Sequence, residues 1–161
     1  MQLTLRPLLS EDLAAIAQFP RNPRELFWMF PNAQWPLTPE QLAATAEQRI
    51  DPTTLLIDGV PAGYANLFHC EPGVSCEIGN IIVDPTRRGQ GLGRALVTYM
   101  IERAFTAYRV PRVEIACFGD DHAGLLLYNR LGCVPYGVEE RRDPQGERVA
   151  LIRLRWLRNQ V

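Results

Sequence analysis

Asn80-Ile81-Ile82-Val83-Asp84-Pro85-Thr86-Arg87-Arg88-Gly89-Gln90-Gly91-Leu92-Gly93-Arg94-Ala95-Leu96 reads as an apolar strand, a proline-led turn, a glycine-rich arginine loop and the first turn of a helix. That order builds an anion site. Gly89, Gly91 and Gly93 carry no Cβ, so the backbone turns tightly and brings successive N–H groups against a ligand. The helix behind them adds unpaired first-turn N–H groups and a positive dipole end of roughly half a charge. A phosphate or pyrophosphate fits there.

Two common phosphate-binding patterns fail on spacing. A nucleotide-hydrolysing loop ends in Gly-Lys-Ser or Gly-Lys-Thr, whereas Gly93 is followed by Arg94 and Ala95. A dinucleotide fingerprint is G-x-G-x-x-G, whereas these glycines are spaced two apart throughout. Arg88 to Gly93 instead match arginine or glutamine, two residues, glycine, one residue, then glycine or alanine. Downstream lies Gly124-Leu125-Leu126-Leu127-Tyr128-Asn129-Arg130-Leu131-Gly132-Cys133, a tyrosine on a helix closed by Leu-Gly. Together the two segments resemble the coenzyme A pyrophosphate loop and the tyrosine helix of the GNAT superfamily of acetyl-CoA-dependent N-acetyltransferases. The resemblance runs from about Leu3 to the C-terminal strand and is specific between about Ser75 and Pro135.

The resemblance implies an α+β fold: a GNAT-like single domain over residues 1–161, with a twisted, mostly antiparallel mixed sheet flanked by helices and a cofactor cleft between splayed central strands. It implies acetyl-CoA as co-substrate. Ile81, Ile82 and Val83 are expected to meet the pantetheine arm through their backbones. Arg88, Gly89, Gln90, Gly91, Leu92, Gly93 and Arg94 are expected around the pyrophosphate, with Arg88 as the paired side chain. Tyr128 would stand near the thioester sulfur and give a proton to the departing thiolate. Glu77 is the candidate base, with His69 and His122 as alternatives. Family members often carry asparagine seven residues before the tyrosine; here Asp121 holds that cofactor position. An ionised aspartate only accepts hydrogen bonds, so capping the Tyr128 helix is its other expected role. Cys133 stands where an aromatic residue usually closes the motif.

The implied reaction is direct attack in a ternary complex by a primary amine, on either a small molecule or a protein N-terminus. The alternative is a non-catalytic acyl-CoA-binding regulatory module. Acceptors would be gripped by residues 23–35 and 136–148. Phe27, Trp28, Phe30 and Trp35 read either as an aromatic pocket or as core, and exposed aromatics leave room for a homodimer. Glu139, Glu140, Asp143 and Glu147 favour a cationic acceptor, while Arg141, Arg142 and Arg148 dilute that field.

Composition bounds the rest. The 161 residues suit one domain with one core, and 47% hydrophobic with 22% charged residues is ordinary for a globular protein. A net charge of -1 exerts no global pull on nucleic acid or anionic membrane, and neither partner is expected. No apolar run approaches the roughly 18 residues of a membrane span, and Glu11 and Asp12 interrupt the N-terminus, so a cytoplasmic protein is expected. All seventeen basic residues are arginine, which removes lysine as base or Schiff-base former. Cys70, Cys76, Cys117 and Cys133 form no C-x-x-C pair; they read as small buried hydrophobes without a disulfide framework, and no metal is expected.

Periodicity predicts a strand over 2–6, a helix from Glu11 capped by Ser10, short proline-cut pieces over 20–39, and a helix from Pro39 to about Arg49. Strands over 53–58 and 61–70 should flank an Asp58-Gly59 hairpin, followed by a central strand from Ser75 to Val83. The helix from Gly91 carries Leu92, Leu96, Val97, Met100, Ile101 and Ala104 on one face. A strand over 113–118, the Tyr128 helix, and a closing hairpin of 134–141 with 148–156 complete the chain.

Overall fold

The computed structural model describes residues 1–158; the last three of the expected domain, 159–161, lie outside the described residues. Seven strands form one sheet: β1 (Leu3–Pro7), β2 (Ile50–Ile57), β3 (Val60–Glu71), β4 (Ser75–Val83), β5 (Arg112–Phe118), β6 (Val134–Arg142) and β7 (Arg148–Leu157). Their order is β1-β2-β3-β4-β5-β7-β6. Only β4 and β5 run parallel; the other neighbours are antiparallel. Five helices flank the sheet: α1 (Leu13–Ala17), α2 (Pro23–Met29), α3 (Pro39–Glu47), α4 (Leu92–Tyr108) and α5 (His122–Arg130). None is long and apolar enough to cross a membrane.

Side-chain alternation along the strands sorts the core into two layers. Ala65 and Leu67 of β3, with Cys76 and Ile78 of β4, pack against Leu96, Val97, Met100 and Ile101 of α4. Tyr64 and Ile82 instead join Ile16, Leu26, Met29 and Leu42 of α1–α3. Asp58 and Gly59 both take positive φ in the β2–β3 turn, as an Asp-Gly hairpin requires. Thr38 accepts from the Gln41 N–H and Pro39 opens α3, matching the expected start.

The first helix differs from its expected start. Ser10 lies inside a short 3-10 turn, Ser10–Asp12, and α1 begins only at Leu13. Asp12 holds that turn: its carboxylate accepts the Leu9 N–H at 2.9 Å, two Arg6 guanidinium bonds at 2.7 and 3.0 Å, and the Thr54 hydroxyl at 2.8 Å. The proline-rich stretch also contains a helix that the punctuation hid. Asn22 caps α2 by accepting the Glu25 N–H, and Pro23 sits in its first turn, where proline costs no hydrogen bond.

The cysteines are not all isolated. Cys70 and Cys76 form a disulfide next to the β3–β4 turn, because the register sets their Cα atoms 4.1 Å apart. Cys117 and Cys133 are buried and free, as small core residues. Leu26, Phe27, Met29 and Phe30 are core, leaving Trp35 and Tyr136 as the exposed large aromatics among the described residues.

Asp12→Ala strands the fully buried Thr54 hydroxyl and removes the Arg6 partner. Urea denaturation should show a loss of about 2–4 kcal/mol with an unchanged m-value.

Candidate active site

Strands β4 and β5 pair only from Ser75↔Arg112 to Ile78↔Ile115, then part, although β4 continues to Val83 and β5 to Phe118. A bulge in β4 turns the strand away. Asn80 takes φ +54°, a conformation asparagine tolerates better than most residues, and the register with β3 slips between Asn66↔Gly79 and Tyr64↔Ile82. Side chains hold the bulge: Asn66 Nδ2 donates to Asn80 Oδ1 at 2.7 Å, and Asn80 Nδ2 donates to the Met29 carbonyl at 2.8 Å. The gap between the strands opens into a cleft of about 510 Å³, within the usual size range of ligand sites.

Ile78–Val83 form one wall of the cleft, and Ala116, Cys117, Asp121 and Tyr128 form the other. The glycine loop closes one end. Gly89 and Gly91 both have φ +80°, and a Cβ at either would meet nothing within 4 Å, so their faces are open toward incoming atoms. Gly91 is also the N-cap of the 17-residue α4, which directs that helix's unpaired N–H groups into the loop. Gly93 has a packing role as well: a Cβ there would stand 3.1 Å from Leu127 Cδ2 of α5. Of the expected cofactor residues, Gln90 alone does not line the cleft; Arg87 and Arg130 do.

Tyr128 is buried in the second wall and makes no side-chain hydrogen bond among the described residues. Burial, reinforced by Cys117 and Asp121, pushes its pKa well above the ordinary value, so the phenol keeps its proton. Asp121 caps α5 by accepting the Gly124 N–H at 3.1 Å. Burial also pushes the Cys117 thiol far up, and its Sγ donates to Asp121 Oδ2 at 3.7 Å, so it is no ready nucleophile.

Glu77 sits one residue before the strands part, outside the cleft lining. It is 8% exposed, with Arg153 Nη1 at 3.5 Å and His69 Nδ1 at 3.7 Å. Burial raises its pKa, and Glu114 adds to that; Arg153 and His69 offset only part. His69 projects into solvent, and His122 is exposed at the start of α5 away from the lining. The acidic hairpin residues are largely neutralised: Glu139 pairs with Arg141 and Arg153, Glu140 with Arg148, and Asp143 with Arg24.

Helix α2 is what sequence reasoning missed. Glu25 Oε2 accepts from Arg88 Nη1 at 2.8 Å, Arg24 reaches Asp143 at 2.9 Å, and Trp28 Nε1 donates to Asp120 at 3.0 Å. Phe27 stacks on Phe118 with ring centroids 4.3 Å apart. The helix therefore ties the glycine loop, the β5–α5 loop and the β6–β7 turn together over the cleft. The Asn22-Pro23-Arg24-Glu25 start signal was present in the sequence, but its partners lie 63 to 119 residues away. Of the expected aromatic pocket, Trp28 alone lines the cleft; Phe27 and Phe30 are core and Trp35 is exposed.

Burial alone would raise the Glu25 pKa, but hydrogen bonds from Arg21 and Arg88 outweigh it and hold the group at about 2, below its ordinary 4.5. A depressed carboxylate stabilises the fold above its unfolded pKa and loses that contribution as pH falls through the folded one. Glu25→Gln should thus cost about 1–3 kcal/mol at neutral pH. The difference from wild type in thermal melts should shrink as pH falls from about 4.5 to about 2.

Comparison with known proteins agrees with this architecture. The profile of the acetyltransferase (GNAT) family matches residues 20–133. A mycothiol acetyltransferase of Kineococcus radiotolerans is 32% identical over 138 residues, covering 81% of this chain and 42% of that protein. The chain thus spans about two fifths of the length of that curated relative. Among solved structures, a spermidine N-acetyltransferase from Vibrio cholerae in complex with CoA and spermine superposes with a TM-score of 0.81 at 20% identity, covering 98% of this chain and 96% of that one. A ribosomal-protein-alanine N-acetyltransferase from Brucella melitensis superposes at 0.75 and 20% identity, covering 96% and 99%. At such identities the structural likeness establishes the fold, while the sequence match covers most of the chain: this protein belongs to the GNAT family of acetyltransferases.

Proposed function

We propose that this protein, acting as one domain over its described length, moves an acetyl group from acetyl-CoA to a primary amine by direct attack in a ternary complex. The observation that carries this reading is the parting of β4 and β5 between an open glycine loop and a protonated Tyr128. Acetyl-CoA supplies an activated acetyl thioester. The residues present fit it: Gly89 and Gly91 leave room where a Cβ would intrude, and α4 begins at the loop.

Backbone N–H groups from Gly89 to Gly93, with Arg88 and Arg94, would hold the pyrophosphate; Arg88 must exchange Glu25 for phosphate or bridge both. Ile81, Ile82 and Val83, beyond the last β4–β5 pair, offer backbone groups to the pantetheine arm. Asp121, engaged as a cap, would contribute through the shape of that wall. Tyr128 gives its proton to the departing sulfur, a role suited to a phenol that burial keeps neutral. Glu77, its pKa raised by burial, takes the proton of the acceptor ammonium, directly or through water. The high pKa of Cys117 favours direct attack over an acyl-enzyme.

Two variants test the reading. Tyr128→Phe should retain acetyl-CoA affinity in calorimetry while kcat falls roughly 10²-fold; full activity in this variant would remove the proton-donor role. Gly91→Val forces a β-branched residue to φ +80° and should abolish acetyl-CoA binding. A wild-type protein that fails to bind acetyl-CoA would overturn the transferase reading itself.

A further inference from the structure

Arg49, between α3 and β2, is half-buried and has no carboxylate within ion-pair distance among the described residues. Its guanidinium carbon lies 4.0 Å from the centroid of the Phe68 ring, and its Nη1 is buried without a hydrogen-bond partner. The absence of a side chain at Gly79 makes this placement available: a Cβ there would meet Arg49 Nη1 at 3.2 Å and Phe68 Cε1 at 2.6 Å. Gly79 lines the cleft just before the β4 bulge. Glu77, which faces Phe68 across the β3–β4 pair, acts on Arg49 electrostatically from beyond ion-pair distance.

A second unmet group stands on the next rung. Asn66, paired with Gly79 and fully buried, gives both amide bonds away, to Tyr64 Oη at 3.0 Å and Asn80 Oδ1 at 2.7 Å, while its own Oδ1 has no donor. Next to the cleft, though outside its lining, β3 and β4 therefore hold together a cation without a close anion, a buried acceptor without a donor, and a carboxylate with only loose partners. Desolvating a guanidinium without a counter-charge is costly, and burial lowers the Arg49 pKa accordingly. Such an arrangement makes physical sense where a ligand supplies the missing charge.

We propose that Arg49, lying against Gly79 and over Phe68, binds the carboxylate of the acceptor, so that the acceptor is a free amino acid rather than a simple amine or a protein N-terminus. This rests on the transferase reading above and on Glu77 as the group facing the acceptor's amine. The Arg49 guanidinium suits charge-assisted hydrogen bonds to a carboxylate, and the ammonium of the same small molecule falls to Glu77. A protein N-terminus has no carboxylate beside its amine, and a polyamine would bring a second cation toward Arg49.

The test is an initial-rate screen of the free amino acids against their decarboxylated and amidated counterparts, with acetyl-CoA saturating. The best amino acid should exceed its own amine and amide in kcat/KM by roughly 10- to 100-fold, the range for a hydrogen-bonded charged group. Arg49→Met should collapse that ratio toward one through KM, with acetyl-CoA affinity retained in calorimetry. Arg49→Lys, which keeps the charge but not the planar guanidinium, should fall between. Equal rates for the decarboxylated amines, acetylation of peptide N-termini alone, or a preference that survives in Arg49→Met would each overturn the proposal. Ligand-observed NMR of amino-acid binding to wild type and Arg49→Met reads the same carboxylate contact without turnover. A protein that binds amino acids through Arg49 but not acetyl-CoA would instead locate the failure in the transferase reading.

Discussion

The parting of β4 from β5 is the constraint on which the rest of the architecture depends. Two parallel strands that begin to pair at Ser75 and Arg112 would, if continued, satisfy each other's backbone groups and close the sheet. The Asn80 bulge prevents this, and it holds because its strained residue is bonded on both sides, to Asn66 within the sheet and to the Met29 carbonyl at the end of α2. Beyond Ile78, the β4 groups that would have paired with β5 face a cleft instead. A sheet interrupted at its centre is stable only if its halves are joined elsewhere.

Helix α4 and helix α2 supply that join from opposite faces. Met100, Leu96 and Val97 of α4 pack beneath β3, β4 and β5, sharing one apolar cluster with Val113 and Ile115, so both strands remain anchored below the gap. Across the other face α2 spans the gap through polar links to Arg88, Asp120 and Asp143, and through the Phe27–Phe118 stack. The apolar contacts are short-range and largely indifferent to pH. The Glu25–Arg88 pair is an electrostatic link between this strap and the loop proposed to hold pyrophosphate, so a phosphate arriving at Arg88 would compete with the strap for one guanidinium.

Several polar groups near the cleft are left without close partners. Several other arginines meet acids at close range, as at Arg6–Asp12, Arg103–Asp51 and Arg148–Glu140. Around the base of the gap the pattern changes: Arg49 has a ring instead of a carboxylate, Asn66 an orphan oxygen, and Tyr128 a hydroxyl without a hydrogen bond. Groups left without partners in a folded protein carry a free-energy cost, which a ligand that pairs with them would offset.

The glycine loop, the Tyr128 helix, α3 and the positions of the strands along the chain were legible in the amino-acid sequence because each rests on local chemistry. Gly89 and Gly91 turn, Asp58-Gly59 makes a hairpin, Thr38 caps, and alternation assigns faces, all within a few residues of one another. Helix α2 was obscured because four prolines around it read as punctuation, although Asn22 and Pro23 open it. Asp12 displaced Ser10 as the residue holding the first turn, since its partners Arg6 and Thr54 assemble only when β1 and β2 pair. The Cys70–Cys76 link likewise follows from hairpin register rather than spacing. By itself, then, the sequence determined most of the elements, the glycine-rich loop and the family resemblance, since these depend on neighbours along the chain. Tertiary structure alone decided where β4 leaves β5, which residues strap the cleft, and that Arg49 lies unpaired beside it, because each depends on groups brought together from distant segments.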